Sequence, residues 1–483
     1  MAIELSNLTF TDEDDIVPAS GVERILNTGI ANTLAGDDII KGESGADISI
    51  PENELSGIFN TGTINTDGGN DILTGIHNNP GEDTLLGYGI YNQRGTIDTG
   101  EGNDIIRGIS QQGRGIETLI GIGIDNERGT IDTGDGNDII SGTASITSGY
   151  GISNSFASTI DTGNGNDIIT GRGSIYRFFS GISNFGSTIE TGNGNDIITG
   201  IGYSGINNNG IINTGNDEDS LISNGRFINY GGVFLGDGND SLTAIPPFPT
   251  YAMENFSIIE TGNGNDIITS INDIINEGII NTGNGEDSIF QTNLFNSGGV
   301  FLGDGNDSII ANPSLDSFHN GIVNTNAIET GDGNDTITTT GRIYNDGVIN
   351  TGNGDDSIIV YNSFGAEYGI NNDGGSINTG DGNDSIIANG GFVSGSNSSG
   401  SVFLGNGEDY LKGFGSGDFY GGNGNDTLEL TPGSYTVGIW DKTVTFTNSD
   451  NLRMITSEFE QLMVGSAMYH FATLAEGQTI FIA

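Results

Sequence analysis

The sequence predicts an all-β chain wound as a right-handed parallel β-solenoid. It should have about fifteen coils, one Gly/Asp-rich corner per coil and a terminal β cap. Three observations predict this. A turn of the type Thr-Gly-Asn-Gly-Asn-Asp recurs about fifteen times between residues 60 and 430. An aliphatic residue stands two positions after the last Asp of each turn, and another apolar residue seven positions before it. An Asn precedes most of these acids by 11 to 13 residues. Length alone would suggest two or three globular domains, but a fixed-period repeat overrides that count.

The corner comes first. In Thr330-Gly-Asp-Gly-Asn-Asp335 the glycines allow positive φ and let backbone carbonyls turn towards one point, while the final Asp supplies a carboxylate. Stacked 4.8 Å apart, two carboxylates repel by roughly 0.9 kcal/mol even in water. A divalent ion between them reverses the sign. Calcium takes six to eight oxygen ligands, mixing carboxylates with carbonyls, so two stacked corners could share one ion where a single corner could not. Magnesium demands a smaller octahedral site, and zinc and copper favour N and S ligands. The candidate ligand set in the first half is Asp104 with Gly100 and Gly102, Asp138 with Gly134 and Gly136, Asp167 with Gly163 and Gly165, Asp196 with Gly192 and Gly194, Asp219, and Asp240 with Gly236 and Gly238. It continues with Asp266 and Gly262 and Gly264, Asp287 and Gly283 and Gly285, Asp307 and Gly303 and Gly305, Asp335 and Gly331 and Gly333, and Asp356 and Gly352 and Gly354. Asp384 with Gly380 and Gly382, Asp409 with Gly405 and Gly407, and Asp426 with Gly422 and Gly424 complete it. The corners ending at Asp71 and Asp219 are altered, because Asp67 and Asp217 replace glycines.

The strands flank the corner. Leu73, Ile106, Ile140 and their equivalents follow it; Ile64, Ile97, Ile131 and theirs precede it. β-Branched residues on both sides of a Gly-rich turn read as two short strands. Since every unit runs the same way, the strands should stack in parallel, and neighbouring coils should bury the face that no coil can bury alone. Coils about 4.8 Å apart would make a rod on the order of 70 Å long.

A second corner is marked by Asn60, Asn92, Asn126, Asn154, Asn184 and the later copies to Asn372. Stacked Asn side chains should bond to one another and to the backbone there. The segment that returns to the next unit varies in length and should form loops, among them the Pro-rich 245–250. Tyr176, Phe178, Phe179, Phe248 and Tyr251 in these returns should pack on the solenoid; a contact surface for a partner or a polysaccharide is the other reading.

The ends differ. Residues 1–59 hold degenerate units such as Leu34-Ala-Gly-Asp-Asp-Ile-Ile-Lys41 and should form a cap or weak first coils; the solenoid proper spans 60–428. From 429 to 483 the repeat stops, and Tyr435–Trp440 and Thr443–Thr447 alternate like antiparallel strands. A distinct terminal unit keeps a solenoid's last edge from pairing with other chains.

Gly421-Gly-Asn-Gly-Asn-Asp-Thr-Leu428 matches the nonapeptide G-G-x-G-x-D-x-U-x in full, and most other corners match with Thr or Leu in the first place. On these residues the chain resembles the RTX family of secreted proteins with hemolysin-type calcium-binding repeats, over about three quarters of its length. That family has tandem corners on both sides of a flattened β-roll. One corner per coil here leads us to expect a single calcium row. The resemblance implies type I secretion, with an uncleaved signal in the C-terminal segment, export unfolded and folding on meeting calcium outside. The first residues carry no basic and apolar leader, which fits a route that does not read the N-terminus.

Composition narrows the function. With 13 Lys and Arg against 64 Asp and Glu, and a net charge of -51, there is no basic face for nucleic acid and none for an anionic membrane. No apolar run is long enough to span a bilayer. Cysteine is absent, so metal rather than disulfides would staple the fold. The three histidines, His77, His319 and His470, lie in no H-E-x-x-H, and neither G-x-S-x-G nor a P-loop occurs. The expectation is therefore not an enzyme but a secreted, calcium-binding structural or adhesive element at the cell surface. It could self-assemble into a homo-oligomer, filament or layer, or contact surface polysaccharide. The alternative is a polysaccharide-active enzyme on the same scaffold, using paired acids such as Asp355 and Asp356.

Overall fold

A computed structural model of the chain describes residues 2–18, 23–45, 55–79, 86–112, 120–144, 148–176, 178–247, 251–313, 320–362, 368–393 and 400–482. Phe248 and His319 lie outside the described residues. The chain is built of short strands joined by corners; among the described residues single 3-10 turns lie at Leu5–Asn7 and Phe471–Thr473. It divides into two compact units, residues 1–262 and 263–483.

In the first unit each coil contributes three strands to three parallel ladders. One coil reads Thr96–Asp98, corner, Ile105–Gln112, return, Ile120–Glu127; the next reads Thr130–Asp132, Ile139–Thr143, Gly149–Ser155. Identical residues meet: Ile97 pairs with Ile131, Ile106 with Ile140, Ile124 with Ile152. Three aliphatic columns result, and the side chains of all six are fully buried. Each such residue contributes about 1.5–3 kcal/mol by burial. The coils begin early. Arg24–Asn27, Ile30–Asn32 and Ile39–Ser44 form a complete coil in register with the one that follows, and Ala2–Glu4 and Ile16–Val17 lie on it in turn.

Glycine is needed where the second and third strands of a coil approach. A Cβ on Gly108 would lie 2.1 Å from the carbonyl oxygen of Gly123, so this strand contact is as close as backbones allow.

The second unit repeats the scheme with shorter strands. Ile280, Val300, Ile328, Ile349, Ile377, Val402 and Phe419 form one buried column, and Ile268, Ile289, Ile309, Ile337, Ile358, Ile386, Leu411 and Leu428 another. Beyond Glu429 the pattern changes to antiparallel. Gly433–Trp440 pairs with Thr443–Thr447 and with Thr479–Ile482, and Gln461–Val464 with Ala467–His470. Two strands of this segment, Arg453–Ser457 and Gln461–Val464, lie parallel on the last coil and cover its edge. Among the described residues no helix is long and apolar enough to cross a membrane.

Candidate metal centre

The site is the column of corner aspartates within each unit. The first glycine of a corner has φ near +74° at Gly134 and Gly163, a left-handed conformation that a Cβ would strain. A second constraint is spatial: a Cβ on Gly136 would sit 1.4 Å from the carbonyl oxygen of Gly102 in the preceding coil. Glycine carbonyls thus lie directly beneath the glycines of the next corner. Asp67 (φ 60°) and Asp217 (φ 87°) adopt left-handed backbone where glycine would stand, and their corners keep the same stacking.

Each corner ends on a buried Asp whose carboxylate reaches back to the preceding coil. The N–H of Asp71 donates to Asp104 Oδ1 at 2.7 Å, that of Asp104 to Asp138 Oδ1 at 2.7 Å, and that of Asp138 to Asp167 Oδ1 at 2.8 Å. The chain of contacts continues through Asp196 and Asp219 to Asp240. In the second unit it runs from Asp266 through Asp287, Asp307, Asp335, Asp356, Asp384 and Asp409 to Asp426. All the corner acids expected from the sequence are brought into these two series.

The other oxygen is different. Oδ2 of Asp71, Asp104, Asp138, Asp167, Asp196 and Asp219 is buried with no hydrogen-bond partner, as is Oδ2 of Asp287, Asp307, Asp335, Asp356, Asp384, Asp409 and Asp426. In most of these corners a threonine five residues before the Asp places its hydroxyl nearby and eases the charge; Asp307, Asp409 and Asp426 have Leu302, Leu404 and Gly421 there instead. Thr33 donates to Asp38 Oδ2, but in later coils the hydroxyl proton is drawn to the carbonyl of the next coil, as from Thr191 Oγ1 to Thr214 O at 3.2 Å. A buried carboxylate oxygen without a donor costs free energy unless a cation or a proton meets it. Burial, the largest cause, pushes the carboxyls of Asp71, Asp104 and Asp138 up to about 6, those of Asp167 and Asp356 to about 7, and those of Asp219 and Asp307 to about 8.

The donor set is all oxygen. Among the described residues no three acidic or histidine side chains converge on one point, so an ion between two coils would draw on two carboxylates and on corner carbonyls. That mixture suits calcium and gives zinc or copper none of the nitrogen or sulfur they prefer.

Two members of the acidic column escape a reading of the corner motif alone. Asp38, in the degenerate unit, takes the N–H of Asp15 at 2.7 Å and donates its own to Asp71. At the far end Glu460 Oε2 accepts the N–H of Asp426 at 2.9 Å. The signal for Glu460 is its spacing to Leu462, which pairs with Leu428 as Glu460 follows Asp426.

The Asn series forms as expected. Asn126 Nδ2 donates to Asn154 Oδ1 and to Thr159 O, both at 2.9 Å, and all these side chains are buried. The return-loop aromatics divide. Phe179 is half-buried and packs edge-on against Tyr150 as expected, whereas Phe178 is 83% exposed, touching Tyr203, and Tyr176 and Tyr251 are about half exposed. Two outer features have no motif in the sequence. Asp125 is buried beside Ser153 and Glu127; burial first, and then the Glu127 charge, raise its carboxyl to about 7 against the opposing hydrogen bond from Ser153. Tyr91 donates to Glu127 Oε2 at 2.7 Å and stacks on Tyr88; both rings are shut from solvent. His77 is buried against Ser44 Oγ, and burial lowers its pKa to about 4, so it is neutral.

No family model matches the chain, and no curated protein does. Among solved structures, the chain is similar to the X-ray structure of a hyperactive, Ca2+-dependent, β-helical antifreeze protein from an Antarctic bacterium. The two share 18% identity over 96% of each chain with a TM-score of 0.31, too low for the likeness to carry an argument about function.

Proposed function

We propose that this chain is an extracellular calcium-binding structural or adhesive β-solenoid that is rigid only when its acidic column is loaded. The observation that carries the reading is the row of buried Oδ2 atoms with no hydrogen-bond partner. Calcium held between coils would be ligated by the Asp oxygens of consecutive corners, Asp104 and Asp138 or Asp335 and Asp356 for example, and by carbonyls of the corner glycines. An ion that binds only the folded chain adds RT ln(1 + [L]/Kd) per site. At ten times Kd that is about 1.4 kcal/mol each, so a row of sites governs whether the chain is folded. Extracellular modules bind calcium with Kd of about 10⁻⁴–10⁻³ M, which separates an unloaded cytosolic state from a loaded external one. Export by type I machinery and a role at the cell surface belong to the same reading.

The test is far-UV circular dichroism with excess chelator and then with millimolar calcium, alongside calorimetric titration. Loss of the β signal in chelator and its return with calcium, at several ions per chain, supports the proposal. An unchanged spectrum with no heat of calcium binding overturns it.

A further inference from the structure

The first unit carries an outer surface unlike the rest of this acidic chain. It is the outward side of the strands that follow the corner. In successive coils the first outward position is Ile39, Ile72, Ile105, Ile139, Ile168 and Ile197, aligned by the parallel register. These side chains lie on the solvent side: Ile139 and Ile168 are 37% exposed and Ile197 39%. The next outward positions hold Thr74, Ser141, Thr170 and Thr199, and the third holds Ile76, Ile109 and Ile201 among others. Between Ile72 and Ile201 these strands turn no carboxylate outward, although the chain has 64 acidic residues. They do turn out two of its few cations, Arg107 and Arg172, both exposed.

A column of branched aliphatics on an open sheet face needs a reason. The same position in later coils is mostly serine, at Ser220, Ser241, Ser288 and Ser308, with a lone Ile267 among them, so the fold itself does not require Ile there. Six rungs about 4.8 Å apart, with three outward positions per strand, present roughly 450 Å². That is the size of the largest patch on a typical monomer, which is often functional, and about half of the ~800 Å² per partner of a standard interface.

We propose that this face joins two copies of the chain. Charge selects that occupant. Two molecules of net charge -51 repel wherever their acidic surfaces meet, and this face is where carboxylates are missing. Its arginines answer the rim: Glu101 and Asp135 stand exposed on the adjacent corner, so in a face-to-face pair the guanidinium groups of one copy reach the rim carboxylates of the other. The contact is isologous, one surface meeting its own copy, and it closes at two. So small a contact is that of a weak, reversible pair rather than an obligate dimer.

The test is sedimentation velocity of the full chain in millimolar calcium from about 1 to 200 μM. Wild type should shift from 50.2 kDa towards twice that mass. The triple variant Ile105→Ser, Ile139→Ser, Ile168→Ser adopts the residue that later coils already use. It should keep the wild-type dichroism and calcium stoichiometry while weakening the dimer at least tenfold. Ser288→Glu with Ser308→Glu, a change at the same strand position in the second unit, should dimerise like wild type. A wild type monomeric throughout overturns the proposal, as does a triple variant that dimerises normally or growth beyond two copies. Dichroism and calcium binding are read separately, so failure of the dimer leaves the calcium reading standing and the reverse holds too.

Discussion

Two buried side-chain columns run through the coils, and their chemistry differs at the level of single atoms. The Asn column is self-sufficient: each amide gives its protons to the next Asn and to a backbone carbonyl, so no buried donor is wasted. The Asp column is not, because Oδ2 lacks a donor in most of its acids, Asp104, Asp167 and Asp335 among them. Opposite consequences are expected on mutation. Asn154→Ala should leave the amide of Asn126 and the oxygen of Asn184 short of partners, costing about 1–3 kcal/mol for each, with calcium stoichiometry unchanged. Asp167→Asn should remove ligands from the gaps on both sides of its coil and lower the stoichiometry by up to two ions. Calorimetric titration together with urea unfolding in calcium separates the two results. Gly134→Ala adds a Cβ 2.1 Å from Gly100 O at a φ of +74°, so it should disrupt the corner in both respects.

At the scale of the strand, stability comes from like residues stacked on like. Ile160 lies between Ile131 and Ile189 in one ladder and is fully buried. Ile160→Ala should cost about 2–5 kcal/mol by denaturant unfolding, because neighbouring coils cannot collapse into the void without breaking register. The terminal strands have another task. Arg453–Ser457 and Gln461–Val464 pair with the last coil, and Glu460 closes its acidic column. Removing residues 431–483 should expose a parallel edge and an unanswered Asp426 N–H, and light scattering should show association of the truncated chain at concentrations where the full chain stays dispersed.

For the whole molecule the governing quantity is charge. Without calcium, the folded chain holds protons on its corner acids that the unfolded chain would release near pH 4. Their folded pKa values are raised to about 6 for Asp71 and Asp104 and to about 8 for Asp219 and Asp307. The sign follows directly. A carboxyl raised on folding stabilises the fold fully below its unfolded pKa, and that stabilisation is lost as pH climbs through the folded value. The calcium-free chain should therefore melt at progressively lower temperature from about pH 5 to pH 9. Calcium takes the place of the protons and needs the carboxylates ionised, so its affinity should rise over the same range. Thermal melts at fixed calcium should show the gap between loaded and unloaded chain widening with pH; a gap that is constant or narrows would contradict the role given to the column.

The recurring Asp, the aliphatic positions at fixed offsets and the Asn marker determined the parallel register unaided, because identical spacing leaves one alignment in which every coil buries its Ile. The type of corner was legible for the same reason: Gly at those places answers both a positive φ and a carbonyl underneath. Only the tertiary structure decided that one carboxylate oxygen is spent on a backbone N–H while the other is left without a donor, since burial at a stacked corner is a property of two coils and not of one motif. It also decided that Asp38 and Glu460 extend the acidic series from segments with degenerate sequence, and that Phe178 faces solvent. Local pattern specifies what repeats; the ends, the surfaces and the unmet atoms depend on what a neighbouring coil supplies.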